Sequence, residues 1–168
     1  MIKQTIAFMA GLLIMAASST VRAQEIAVVD IQLAILNSTY GQQQLNALSN
    51  DPSYADLIST AQSIEADVAS LDSQAQAEAS NWTNERFQQY TRQREFKVAD
   101  LQLTSQKIQS ERERVINAVI EAMNDQAIGA LEEIIEEQSI SLLLRESSVY
   151  SADADHNVTA LLVEKLSN

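Results

Sequence analysis

The middle of the chain carries a long helical repeat, and this repeat limits the possible folds more than any other feature. Between Leu57 and Trp82 the seam positions follow one another at alternating steps of four and three residues. This heptad spacing predicts a helix that pairs with another helix in a coiled coil. Ahead of it, Asn50-Asp51-Pro52 predicts a helix break and restart, with Asp51 as cap and Pro52 in the first turn. The seam residues are Leu57, Ala61, Ile64, Val68, Leu71, Ala75, Glu78 and Trp82.

A second helical pattern follows after a short polar interval. The residues of Ser80–Asn84 are poor helix formers that favour caps and turns, so they predict a hairpin tip. Apolar residues then keep a helical spacing from Phe87 to about Gln138, which predicts a helix of roughly 50 residues against a globular average of about 11. We therefore expect an arm over residues 53–138 with its tip near 80–85. Polar residues fall near the return seam at Arg94, Ser105 and Arg112.

Strand-like runs lie on both sides of the predicted arm. Ile26–Val29 reads IAVV, Ser139–Leu144 reads SISLLL, and Ser147–Tyr150 is a third short run, followed by an amphipathic helix over 160–166. The expected fold class is mainly α with a small β-sheet (α+β). Both chain ends form a small body, and a long antiparallel helical hairpin projects from it as a coiled-coil arm. The predicted body comprises residues 24–50 and 139–168.

The first 23 residues have the pattern of a secretory signal peptide. Lys3 gives a positive start, Thr5–Ala17 is apolar, and Val21-Arg22-Ala23 places small residues where a signal peptidase reads them. We expect cleavage after Ala23, export to the periplasm, and a single domain over 24–168; an uncleaved membrane anchor is the alternative. The chain contains no cysteine, so the exported protein must rely on packing or association rather than on disulfides.

The exported chain is strongly acidic. Removing Lys3 and Arg22 leaves 9 basic residues against 23 acidic ones, a net charge of −14. This charge argues against nucleic acid as a partner, since a polyanion would be repelled. The charge is also uneven, because Gln42–Glu85 has no Lys or Arg, whereas Arg86–Arg114 has seven basic and four acidic residues. The opposite signs indicate that the two segments lie side by side.

Removing the arm leaves a body of about 60 residues, near the size at which a single core becomes marginal. A small sheet also leaves open edges. We therefore expect a homo-oligomer and an isolated protomer that is unstable. The residues assigned to the oligomerising body are Ile26, Val28, Ile31, Leu33, Ile35, Leu36, Leu142 and Leu144.

Aromatic and basic residues concentrate near the predicted tip, where they suit an adaptable binding surface. The candidate binding residues are Trp82, Arg86, Phe87, Tyr90, Arg92, Arg94 and Phe96. Trp82 is expected to be the most exposed of them. The alternative is that Phe87 and Tyr90 merely complete the coiled-coil seam.

Other polar residues give little indication of chemistry. His156 is the only histidine and there is no cysteine, so no metal site, cofactor or catalytic residue is expected. Asp153, Asp155 and Asn157 alternate like part of a calcium loop but lack its glycine and distal glutamate, which favours a polar turn. A tight acidic patch at the base of the arm is expected to be a solvated helix face, or else a docking site for a basic partner. It consists of Glu132, Glu133, Glu136 and Glu137.

Several stretches resemble the OmpH/Skp family of periplasmic chaperones. They are IAVVD-x-Q at Ile26–Gln32, the long polar hairpin, ISLLL before Val149-Tyr150, and the Asn157-Val-Thr helix start that closes with Lys-Leu-Ser-Asn. The resemblance implies a trimer whose sheets join into a small barrel-like body. It also implies three arms around a cavity that holds unfolded outer-membrane proteins without ATP.

The charge departs from that family's pattern, in which the arms are basic. Arg112 and Arg114 lie roughly where the family has residues linked to lipopolysaccharide binding, but Glu111 and Glu113 alternate with them. We therefore do not expect membrane-surface or lipopolysaccharide contact. Two functions remain open: a holdase for unfolded outer-membrane proteins, and an acidic coiled-coil scaffold of the cell envelope without unfolded clients. An enzyme is a distant third, because no catalytic constellation is present.

Overall fold

The computed structural model describes residues 25–168, so the predicted signal peptide over 1–23 lies outside the described residues. One strand and three helices precede a short turn at the far end of the arm, and one long helix, a second strand and a short helix follow it. The elements are β1 Glu25–Val29, α1 Ile31–Asn37, α2 Thr39–Ser49, α3 Pro52–Glu78, α4 Asn84–Gln138, β2 Ile140–Arg145 and α5 Thr159–Ser167. Three 3₁₀ turns lie at Ala79–Asn81, Glu146–Ser148 and Ala154–His156.

The helices α3 and α4 form the predicted arm. They have 27 and 55 residues, which at about 1.5 Å per residue correspond to roughly 40 and 80 Å. They run antiparallel, because Asp72 contacts Arg94 while the earlier Asp67 contacts the later Lys97. Within α3 only Ile64 is buried, so the seam of the arm is thin. The predicted fold class, a helical hairpin projecting from a small β body, is confirmed.

Side-chain caps fix the points where the arm begins and turns. Asp51 accepts hydrogen bonds from the backbone N–H groups of Ser53 at 2.8 Å and Tyr54 at 3.1 Å, and Pro52 occupies the first helical position. The bonds from the Ser53 side chain and the Tyr54 backbone lower the pKa of the Asp51 carboxyl. At the tip, Thr83 Oγ1 accepts from the N–H of Arg86 at 3.2 Å, which starts α4. The chain therefore reverses over a few residues without glycine or proline at the tip.

The two strands that precede and follow the long helical segment pair in one sheet. β1 and β2 pair in parallel, with Ile26 opposite Leu142 and Val28 opposite Leu144. Ser139, with φ of 54°, adopts the left-handed conformation that ends α4 and directs the chain into β2. On the other edge of β1, Val28 forms an isolated bridge with Asn157. The body is thus closed by residues from both ends of the described chain.

The predicted third strand at Ser147–Tyr150 is wrong. Glu146–Ser148 forms a 3₁₀ turn, and Tyr150 is fully exposed. The run contains two serines, which compete for backbone hydrogen bonds locally, and Tyr150 finds no apolar face to cover. The edge of β1 is instead used by the segment before α5, where the N–H of Val158 donates to the carbonyl of Val28 at 2.9 Å.

The core lies where α1, α4 and α5 pack against one face of the sheet. Ala27 and Val29 point to this face because residues alternate along a strand. Apolar residues of the base of α4 and of the two short helices complete it: Ala34, Ile35, Val119, Met123, Ala127, Leu131, Ile134, Leu162 and Leu166. Polar contacts hold α5 in place, since Thr159 Oγ1 accepts from the N–H of Asp30 at 2.9 Å. Lys165 also bonds Glu133 and Glu137 at 2.8 and 2.9 Å.

A tight backbone approach joins α1 to α2. The Ser38 hydroxyl is buried, donates to the carbonyl of Ile35 at 2.7 Å and accepts from the N–H of Gly41 at 3.1 Å. A Cβ at position 41 would lie 2.3 Å from the Ile35 carbonyl oxygen and 2.8 Å from that of Leu36. Only glycine leaves room for this approach.

We predict that Gly41→Ala lowers the free energy of unfolding by about 1–3 kcal/mol, because the new methyl group forces backbone apart. Gly129→Ala is the matched control: beyond the adjoining backbone of its own helix, no atom of the described residues lies within 4 Å of the added Cβ. That change should raise the free energy of unfolding by up to about 1 kcal/mol, since alanine is the better helix former. Urea denaturation followed by circular dichroism at one fixed protein concentration measures both. Equal effects of the two variants would contradict the close approach at Gly41.

Candidate functional site

The aromatic residues of the tip form a packed cluster. The ring centroid of Tyr90 lies 5.3 Å from that of Trp82 and 6.3 Å from that of Phe87, and the guanidinium of Arg86 lies 5.6 Å from the centre of the Trp82 ring. Trp82 is only partly exposed, so the prediction that it is the most exposed of the candidate binding residues is wrong. Its ring is instead covered by its neighbours across the start of α4. Phe87 at 55% and Phe96 at 69% are more exposed.

A polar network holds the two arm helices together behind this cluster. Asp72 accepts a bond from Tyr90 Oη at 2.8 Å and paired bonds from Arg94, at 2.7 Å from Nε and 3.2 Å from Nη2. One turn further from the tip, Lys97 Nζ donates to Asp67 at 2.7 Å. Tyr90 thus completes the seam, whereas Phe87 does not. Sequence reasoning missed Asp67 and Asp72, although the excess of acidic residues on the outgoing limb opposite a basic return limb could have pointed to them.

The network changes the proton affinities of its members. The bonds from Arg94 and then Tyr90 lower the pKa of Asp72, while the Asp72 carboxylate raises the pKa of Tyr90 and of Arg94. The bond to Asp67 likewise raises the pKa of Lys97. All four side chains therefore stay in the protonation states that favour the contacts across the arm at neutral pH.

The network also determines which tip cations remain available to a partner. Arg94 and Lys97 are used within the arm. Within residues 25–168, Arg86 and Arg92 form no salt bridge with a carboxylate; Arg86 lies over Trp82, and its Nη1 is 3.4 Å from Gln89. The positive charge presented at the tip is therefore carried by Arg86 and Arg92.

A groove of about 570 Å³ runs along the side of the arm next to this region. Phe96 and Leu71 contribute its apolar surface, Arg92 lies on the same wall as Phe96, and the Lys97–Asp67 pair lies at the groove as well. The lining residues are Asp67, Ser70, Leu71, Arg92, Gln93, Phe96 and Lys97. The structure thus brings Arg92 and Phe96 together with α3 residues that sequence reasoning did not include.

The predicted oligomer residues divide into two groups in the body. Ile35 is fully buried in the core of the protomer, Ile31, Leu36 and Leu144 are partly buried, and Leu33 is exposed. Ile26 and Leu142 are exposed by 47% and 48%. They lie on the sheet face that points away from the core, together with Val28, which is already buried in the protomer, and the partly buried Leu144. This outer sheet face consists of Ile26, Val28, Leu142 and Leu144.

The remaining sequence candidates are placed at the surface. His156, Asp153 and Asp155 are exposed in and around the last 3₁₀ turn. In the part of the chain that the structure describes, no group of three or more His, Cys, Asp and Glu side chains could hold a metal ion. Two members of the acidic patch, Glu133 and Glu137, bind Lys165 within the protomer. Among the described helices, none is long and apolar enough to cross a membrane.

Comparison with known proteins gives similarity to solved structures. No protein-family model matches the chain, and no curated protein matches it. A crystal structure of an OmpH-like chain from Caulobacter crescentus, assigned as a candidate outer membrane chaperone, is similar to this chain. The two share 16% sequence identity, 86% of this chain and 84% of that chain are covered, and the TM-score is 0.47. The likeness is one of backbone arrangement.

The polar network predicts a pH response of the arm tip. Because the pKa of Asp72 is lowered in the closed arm, the contribution of Asp72 is fully present above the unfolded value of about 3.9 and is lost as pH falls through the lowered value. Acid should therefore separate the two helices near the tip. Trp82, the single tryptophan, reports this through its fluorescence because it contacts Tyr90.

We expect Asp72→Asn to perturb Trp82 emission at neutral pH and to remove a step of the acid titration. Asp56→Asn is a matched control, since Asp56 is an exposed carboxylate of α3 far from Trp82 in the chain. An identical titration for Asp72→Asn and the wild-type protein would show that the network does not hold the tip.

Proposed function

We propose that this chain is an ATP-independent periplasmic holdase that binds unfolded outer-membrane proteins and prevents their aggregation before membrane insertion. Residues 1–23 would direct export and be removed, and 24–168 would act as one unit. The proposal is supported by the resemblance of the body segments to the OmpH/Skp family. It is also supported by the length of the arm, which is far greater than the hydrophobic core of the protomer requires.

One observation carries the proposal: large apolar side chains stay exposed along the arm. Phe87, Phe96 and Leu103 are each more than half exposed on α4, and the arm seam buries little apolar surface itself. Exposed aromatic residues beside arginine give adaptable contacts without demanding one partner sequence. A protein that holds unfolded chains passively needs many such weak contacts. No ATP is required, because release follows from transfer to a better-fitting partner.

The holdase would act as a homo-oligomer, in our proposal a trimer. The outer sheet face exposes Ile26 and Leu142 on a two-stranded sheet whose other face alone is covered by helices. Association through that face would cover the apolar residues and let several arms enclose one client. The function is binding and not catalysis, and it uses no cofactor.

The alternative function is an acidic envelope scaffold with no unfolded client. The observation that favours it is charge: the chain is strongly acidic, and two of the four basic residues near the tip pair within the arm. Acidic arms would suit a spacer that holds envelope components apart. An aggregation assay distinguishes the two functions, because a scaffold without unfolded clients is not expected to suppress client aggregation.

We predict that the purified protein suppresses light scattering when a urea-unfolded β-barrel protein is diluted into buffer, at about one trimer per client. Replacing Phe87 and Phe96 together by Ala should raise the protein concentration needed by about fivefold, because exposed aromatic anchors dominate such contacts. Circular dichroism checks that helicity is retained. Scattering that is unaffected by wild-type protein at every ratio would favour the scaffold and exclude the holdase.

We predict that Leu142→Asp dissociates the oligomer, because a carboxylate would be buried at the sheet contact. Sedimentation equilibrium at micromolar concentration measures the mass. Leu103→Asp is the matched control, as Leu103 is similarly exposed but lies on the arm; its mass should equal that of the wild-type protein. A well-folded wild-type monomer would contradict the oligomer, and a Leu142→Asp oligomer of unchanged mass would remove the outer sheet face as its interface.

A further inference from the structure

We infer that the groove beside Phe96 binds client segments in which an aromatic or large apolar side chain stands next to a carboxylate. The inference rests on the proposed holdase function and names the sequence class that its arm selects. Three features of the groove carry it: an apolar wall, one available cation, and an ion pair that is already satisfied.

The apolar wall is provided by Phe96 and Leu71. Phe96 is 69% exposed and projects from α4 away from the seam. The α4 residues that contact α3 across the seam at this level are Tyr90, Arg94 and Lys97, so Phe96 is not needed to close the arm. An apolar side chain placed between Phe96 and Leu71 would remove both from water, which the protomer itself does not achieve.

Arg92 supplies the charge at this groove. It lies one helical turn before Phe96, a separation of about 6 Å between neighbouring side-chain positions on α4. It forms no salt bridge among residues 25–168, whereas Lys97, also at the groove, is held by Asp67 at 2.7 Å. The groove therefore offers one guanidinium for a carboxylate, with fork-like geometry that suits two hydrogen bonds.

The surroundings make this pairing selective. The exported chain has a net charge of −14, so most of its surface repels a carboxylate, and Arg92 is the one groove residue with a positive charge not already paired in a salt bridge within the described part of the chain. Asp67 lines the same groove and, although paired with Lys97, disfavours a second carboxylate there. A segment with one acid beside one apolar residue matches the groove better than a run of acids or an uncharged apolar run.

Fluorescence anisotropy of short labelled peptides tests the inference. Three peptides differ at one site only: an Asp-Phe pair, a Lys-Phe pair and an Asp-Ala pair. The purified protein should bind the Asp-Phe peptide about tenfold more tightly than either other peptide, which corresponds to about 1.4 kcal/mol. The preference over the Lys-Phe peptide should shrink at high salt, because an exposed ion pair is screened.

Two variants assign the preference to its residues. Phe96→Ala should weaken binding of the Asp-Phe peptide about tenfold. Arg92→Gln should remove the difference in affinity between the Asp-Phe and Lys-Phe peptides. Val98→Ala and Arg112→Gln are the matched controls: Val98 is an exposed apolar residue of α4 and Arg112 an exposed arginine of α4, both outside the groove. Both controls should bind like the wild-type protein.

The outcomes separate this inference from the proposed function. Equal binding of the three peptides, or loss of binding only in the control variants, overturns the inference even if wild-type protein still suppresses aggregation. Failure to suppress aggregation with intact peptide preference overturns the holdase function instead. A change of oligomer mass in Phe96→Ala, measured by sedimentation, would identify the occupant of the groove as a second copy of the chain and would also overturn the inference.

Discussion

The parallel pairing of β1 with β2 is the constraint on which the rest of the structure depends. A parallel pair cannot be closed by a tight turn. After the first strand, the chain must travel back to the opposite end of the sheet before the second strand can begin. Here the connection is the whole helical arm together with α1 and α2. The arm is therefore a greatly extended crossover, and its two helices must run antiparallel for the second strand to return beside the first.

The arm changes character along its length. At its base, α4 contributes Val119, Met123, Ala127 and Ile134 to the body core. Towards the tip, apolar burial fades and polar contacts across the arm take over, with Asp72 accepting three hydrogen bonds from Tyr90 and Arg94. Exposed ion pairs contribute little stability each. The arm thus combines a base anchored in the core with a tip held by a few polar contacts, which leaves apolar side chains near the tip exposed.

Much of the fold was accessible from sequence, and the reasons differ between elements. The outgoing seam from Leu57 to Ala75 is apolar, so its heptad spacing could be read directly, and the Asp51-Pro52 start follows from capping chemistry. The return seam carries Arg94, Lys97 and Thr104, so hydrophobic spacing alone does not mark it and the exposed positions of Phe87 and Phe96 could not be assigned. The groove depends on side chains from both helices, a pairing that no single-helix pattern contains.

The contact of Lys165 with Glu133 and Glu137 has a consequence for the timing of folding. β1 emerges early in synthesis, but its partner strand and the helix that carries Lys165 follow the complete arm. Contacts between such distant segments require closure of a very long loop, whereas the arm helices can associate locally. The hairpin of α3 and α4 can thus form before β1 pairs with β2. The last helix, α5, then packs onto the body and completes it.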